Sequence, residues 1–218
     1  MRVLSTSGVT VAVADFLRVA TLADKPASDG RDPAQVCALL EAARAGNREA
    51  FGDLVTLHER AVYRVALTAL GNRDDALDAA QETFVVAWRK LGGFRGDASF
   101  RTWLLTIAWR KALDHRRARQ VGWRRTKTTA SFDEPDPIEA LAHGDADPER
   151  AVVAQDLALR VRNEIRRLSP KLRDALLLAA SEEYSYGEIA IMLGVPLGTV
   201  KWRVSEARRV ITSRMDRS

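Results

Sequence analysis

Tyr186-Gly187-Glu188-Ile189-Ala190-Ile191-Met192-Leu193-Gly194-Val195-Pro196-Leu197-Gly198-Thr199-Val200-Lys201-Trp202-Arg203 is the stretch that decides how the chain folds. Ser185 stands before it as a helix cap, and Tyr186–Leu193 reads as a short helix with Ile189, Ala190 and Leu193 on its inner face. Gly194 permits a tight turn, Val195 plugs it, and Leu197 leads into a last helix from Thr199 to about Met215. In that helix Val200, Val204, Ala207 and Ile211 recur at helical spacing and point inward, which leaves Lys201, Trp202, Arg203, Ser205, Arg208 and Arg209 outward. This is the pattern of a helix-turn-helix, whose second helix enters the DNA major groove. Thr199, Lys201, Trp202 and Arg203 would be proximal to base edges, with Arg208 and Arg209 nearer the phosphates. A helical hairpin with a solvated basic face is the plainer alternative. The agreement of turn glycine, small residues and inward periodicity speaks against it.

Upstream, Ser169-Pro170 opens a helix to about Ala180, and helical patterning extends from near Glu149 to Leu168. Before that, Thr128–Glu149 holds seven acids, no Lys or Arg, and Pro135, Pro137 and Pro148 with little periodicity, which marks an acidic linker. Four helices precede it. Asp32-Pro33 starts one to about Arg44, and Asn47 caps the next, which Gly71 ends. Asp74 or Asp75 caps a third, with an inner stripe of Leu77, Ala80, Phe84, Trp88 and Leu91. Ser99 caps a fourth, which frays near Arg119. The expected fold is all-α: two small helical domains, 33–119 and 150–218, joined by an acidic flexible linker over 120–149 and preceded by a loosely ordered extension over 1–32.

The 218 residues carry a net charge of +5, and the acidic linker means that the flanking parts are more basic than this total suggests. The single cysteine, Cys37, excludes an intramolecular disulfide and a cysteine-rich zinc site, and three scattered histidines have no metal-ligand spacing. No cofactor is expected. The apolar run Gly8–Ala14 is too short to span a bilayer and lacks the flanks of a signal peptide, so a cytoplasmic protein without membrane insertion is expected. No nucleophile–base set or P-loop argues for an enzyme.

A second constellation is Phe94-Arg95-Gly96-Asp97-Ala98-Ser99-Phe100-Arg101-Thr102-Trp103, followed by Trp109-Arg110-Lys111. Aromatics interleaved with cations suit single-stranded nucleic acid, where bases stack on rings and cations track the backbone. A glycine-rich loop beside aromatics can also pocket a flipped base. Phe100 and Trp103 fit the core better than the surface, and Trp109 is the better candidate for exposure. On the third helix Asp75, Asp78, Gln81 and Glu82 form an acidic outer face, and the like-charged spacing of Asp78 and Glu82 suggests a basic partner.

Together, Asp75–Phe84 with Trp88, Phe94–Leu104, and Glu188–Ala190 with Leu193–Lys201 resemble the extracytoplasmic-function sigma factors of bacterial RNA polymerase, over roughly 34–119 and 150–216. The resemblance implies that Asp75, Asp78, Gln81 and Glu82 dock on the clamp helices of the polymerase β′ subunit. It also implies that Phe94, Arg95, Gly96, Asp97 and Ser99, with Arg101, Trp109, Arg110 and Lys111, open and read the −10 element. Thr199, Lys201, Trp202, Arg203 and Arg208 would read the −35 element. Core polymerase (β′ and β subunits), duplex and melted promoter DNA, and an anti-sigma protein are the implied partners. The linker would thread through polymerase toward the RNA path. The sequence departs from the usual family pattern at Arg110, Trp202 and Glu206. Two other readings compete: a dimeric helix-turn-helix regulator with a sensing domain, and an adaptor for single-stranded nucleic acid.

Overall fold

The computed structural model describes residues 33–125 and 148–217; the extension at 1–32 and most of the expected linker lie outside them. Both described parts are helical, with no strand among the described residues, and they belong to two separate compact units.

In the first unit α1 spans Pro33–Arg44, α2 Arg48–Leu70, α3 Arg73–Lys90 and α4 Phe100–Arg125, with a 3-10 turn at Leu91–Gly93. Asn47 caps α2 by accepting from the Glu49 and Ala50 amides at 2.9 and 3.1 Å. Gly71 ends it in the left-handed region at φ 68°, where its N–H reaches Leu67 O. The cap of α3 is Asn72, two or three residues ahead of the expected Asp74 or Asp75. Its side-chain oxygen accepts from both of their amides, at 2.9 and 3.0 Å. Asp74 and Asp75 therefore occupy the first turn, and Arg89 and Lys90 the last, each at the end the helix dipole favours. At the other boundary α4 runs on to Arg125, six residues past the expected fraying point.

Helices α2, α3 and α4 pack mutually, and α1 lies against α2. The buried face of α3 differs from the expected stripe. It consists of Ala76, Ala79, Ala80, Thr83 and Ala87, while Leu77 is 51% exposed and Phe84 and Trp88 are half-buried. Small side chains let α3 approach two neighbours at once, and the Thr83 hydroxyl is satisfied by Ala79 O at 2.6 Å. Trp88 instead covers the edge of α2, with its ring 4.9 Å from that of Phe51. Leu54, Val62 and Val65 of α2 and Leu104 and Leu105 of α4 fill the core. Truncating one such leucine to alanine costs about 2–5 kcal/mol.

The second unit contains α5 (Pro148–Arg166), α6 (Pro170–Ala180), α7 (Tyr186–Leu193) and α8 (Leu197–Met215), with α8 packed on the other three. Ser185 and Glu188 form a full capping box at the start of α7. Gly194 adopts φ 64° and lets Val195 N–H bond back to Ala190 O at 3.0 Å. The inner face of α7 is Tyr186, Ile189 and Met192; Ala190 and Leu193, expected there, are half-buried. Helix α8 begins at Leu197, two residues earlier than expected, because the Pro196 carbonyl accepts from both Thr199 and Val200. Val200, Val204, Ala207 and Ile211 are buried as the periodicity requires. The Glu164 carboxylate, almost buried, is paired with Arg167 at 2.7 Å and Arg214 at 3.3 Å, which ties α5 to the end of α8.

Candidate nucleic-acid interface

The outer face of α8 follows from its buried row. Lys201 and Trp202 are exposed, whereas Thr199, Arg203 and Arg208 are half-buried along the flanks. Trp202 is 61% exposed, the largest value among the exposed large hydrophobic residues. Further along, Arg209 donates two hydrogen bonds to Glu206, at 2.8 and 2.7 Å. Those bonds hold the Glu206 carboxyl below its ordinary range and push the Arg209 guanidinium up. The C-terminal half of the face is thus partly neutralised, and its N-terminal half offers a cation beside an indole.

In the first unit the loop from Phe94 to Ser99 is anchored at both ends. Phe94 is buried. Its ring lies 5.7 Å from Phe100 and 5.2 Å from Trp103, and the Arg44 guanidinium sits 5.6 Å from its centroid. At the other end the Ser99 hydroxyl accepts from the Thr102 amide at 3.1 Å. Between these anchors Arg95, Gly96 and Asp97 are exposed, with Gly96 at φ 80°, a conformation that suits glycine. Arg95 and Asp97 form an ion pair at 3.3 Å, both heavily exposed and therefore weakly held.

Two aromatic residues expected to face a melted strand are buried instead. Trp109 is 1% exposed and belongs to the core; it offers no surface to a base. Its neighbours on the buried row, Leu105, Ala108 and Ala112, fix that orientation. Phe94 likewise packs inward as the loop's anchor. Lys111 turns toward α3, where its Nζ meets the Glu82 carboxylate at 2.9 Å, and His115 Nε2 lies 3.1 Å from the other Glu82 oxygen. Hydrogen bonding from Lys111 is the largest cause holding the Glu82 carboxyl below its ordinary range. Arg110, in contrast, is exposed and has no ion pair among the described residues; Arg101 is half-buried.

On α3 the four acidic-face residues divide. Asp75 is paired with Arg119 and Glu82 with Lys111 and His115, all from α4. Asp78 and Gln81 are exposed, and neither has an ion pair among the described residues. A shallow, mainly apolar groove between α2 and α3 is lined by Val55, Tyr63, Leu77 and Phe84, with Gln81 and the charged Glu59 and Arg60 also on its walls. Val85, on the same side of α3, is 50% exposed. Reading the sequence by side-chain size places Leu77 in the core, whereas it lies on the surface. The alanine row at 76, 79, 80 and 87 was the available signal, since it marks the other face as the tightly packed one.

Among the described residues no helix is long and apolar enough to cross a membrane, and no cluster of metal-ligating side chains occurs. Cys37 is exposed on α1.

Two family models match the chain: Sigma-70 region 2 over residues 54–121, and Sigma-70, region 4 over residues 158–211. The RNA polymerase sigma-H factor of Pseudomonas aeruginosa is 35% identical over 176 residues, covering 79% of this chain and 90% of that protein. The ECF RNA polymerase sigma-E factor of Haemophilus influenzae is 32% identical over 180 residues, covering 82% and 94%. Among solved structures, the sigma factor RpoE of Bartonella quintana, in complex with the anti-sigma factor NepR, matches with a TM-score of 0.55 and 25% identity, over 75% of this chain and 94% of that one. Carrying both matched regions in order, on two helical domains, the chain belongs to the extracytoplasmic-function RNA polymerase sigma factors, non-catalytic subunits of transcription initiation.

Proposed function

We propose that this chain binds core RNA polymerase in the cytoplasm, reads the −10 and −35 elements of its promoters and assists strand opening. The observation that carries the reading is the pairing, within the first unit, of an open apolar groove on α3 with an exposed arginine-bearing loop and helix. The groove, with Gln81 and Glu59 among its lining and exposed Asp78 following Leu77 on α3, suits a helical partner that brings apolar side chains and cations, as the polymerase clamp helices would. The loop from Arg95 to Ser99 and the outer side of α4 around Arg110 suit a melted strand. Arg95 and Arg110 supply charge for its phosphates, and the glycine at 96 leaves room beside the backbone. Helix α8 suits the −35 duplex, with its N-terminal end toward the base edges. Any anti-sigma protein would cover these surfaces, a reading supported by the Bartonella quintana relative having been solved with one.

Division of labour on α3 follows from its ion pairs. Asp75 and Glu82 hold α4 in place, so docking is carried chiefly by Leu77, Asp78 and Gln81. Affinity for purified core polymerase tests this. Wild-type chain is expected to bind at submicromolar concentration, and Leu77→Asp or Asp78→Arg to weaken binding at least about tenfold with an unchanged melting temperature. Failure of the wild type to bind at micromolar concentration would remove the polymerase reading and favour a free-standing regulator.

A further inference from the structure

An indole at the centre of a helix face that carries charge elsewhere calls for a partner with apolar surface. Trp202 lies midway between Val200 and Val204, two residues of the buried row, so it projects directly away from the core. Nothing on its own helix covers it. One turn back is Gly198, around which no atom would meet an added Cβ; one turn on is Ser205, small and exposed. The next large neighbour on that side, Glu206, is drawn to Arg209 by two hydrogen bonds. The result is a ring left 61% exposed between Lys201 and Arg203.

Lys201 and Arg203 can neutralise phosphates, but an uncharged ring has no such use. In the major groove the apolar feature that distinguishes one base pair from another is the C5-methyl group of thymine. We infer that Trp202 is a specificity determinant of the upstream promoter element, packing its indole against thymine methyl groups. This rests on the reading of α8 as the helix that enters duplex promoter DNA. It adds to that reading a base preference and the chemical group recognised. The adjacent cations fix the ring's depth by holding the backbone on either side, and the small residues at 198 and 205 let the ring's full face approach the groove floor.

The test uses the full chain with core polymerase and a promoter library randomised in the upstream element. Wild-type holoenzyme is expected to enrich thymine, on one strand or the other, at one or two adjacent positions. Trp202→Ala is expected to lose that enrichment while keeping the remaining positions and its affinity for polymerase. Each enriched thymine is then replaced by deoxyuridine, which deletes only the methyl group. Initiation by the wild type should fall about three- to tenfold, and by Trp202→Ala less than about twofold. Thymine enrichment that survives Trp202→Ala, or an equal uracil penalty in both proteins, overturns the assignment and leaves promoter recognition standing. Unchanged base selection with lost polymerase affinity also overturns it, and makes Trp202 a protein contact. Initiation by the wild type from no library member overturns the sigma reading itself, and this inference with it.

Discussion

Trp109 and Glu82 show how a side chain's neighbours decide its role. Aromatic–basic interleaving made Trp109 look like a stacking platform, yet helical phase puts it on the row of Leu105, Ala108 and Ala112. Its indole N–H finds no acceptor among the described residues, so its contribution is packing. Trp109→Ala is therefore expected to destabilise the first unit by about 3–5 kcal/mol. Trp109→Phe should cost clearly less, because no hydrogen bond is forfeited; denaturant titration of both variants checks this. A melting temperature unchanged in Trp109→Ala would return the residue to the surface. Glu82, expected to face a polymerase partner, also braces its own domain, accepting from Lys111 and facing His115. Its carboxyl is held below the ordinary value of 4.5, so its stabilising effect is present above that value and fades as pH falls through the lowered one. With about half of the side chain exposed, the effect stays below about 1 kcal/mol. Glu82→Gln should thus be less stable than wild type at about pH 7, with the difference shrinking as the pH is taken below 4.5 and the carboxyl protonates, as read by thermal unfolding. A difference that persists at the acid end would assign the loss to packing instead.

At the level of elements, what the sequence discloses depends on how local the cause is. Caps are local. Asn47, Ser99, Ser185 and Gly194 are legible because each acts on amides or dihedrals within a few residues. The misplaced starts of α3 and α8 have equally local causes, but ones a reader weighs lightly: an asparagine preferred over two aspartates, and a proline carbonyl that begins a helix from outside it. The face of α3 was not legible in this way. Its orientation is settled by two neighbouring helices that require close approach, and the alanines meet that requirement where leucine and phenylalanine do not. The groove between α2 and α3 is the remainder of that choice, so it became visible only with the packing. For the recognition unit the same logic gives a selective defect. Gly194→Ala, forced to keep a left-handed turn, is expected to cost about 1–2 kcal/mol of stability in the second unit. It should weaken upstream promoter recognition more than polymerase binding. Chemical unfolding checks the first half, and binding to upstream-element DNA and to polymerase on the same preparation checks the second; equal loss of the two affinities would show that the turn serves more than α7 and α8.

Across the whole molecule, two helical units with different nucleic-acid surfaces make sense as parts of one initiation subunit. The second offers a helix suited to closed duplex; the first offers a loop and helix suited to an opened strand, and an open groove between α2 and α3. The all-α, two-domain organisation was readable from periodicity and from the acidic, proline-bearing stretch between the domains, because both are properties of long segments. Which residues face outward was only half readable, since burial depends on contacts between segments far apart in sequence. The most direct measurement is transcription by purified core polymerase on a promoter library, with and without the chain, and with start sites mapped. Addition of the chain is expected to produce defined starts a fixed distance downstream of a shared pair of elements, and those starts should vanish with Leu77→Asp. Random starts, or none, from a chain free of inhibitors would contradict it.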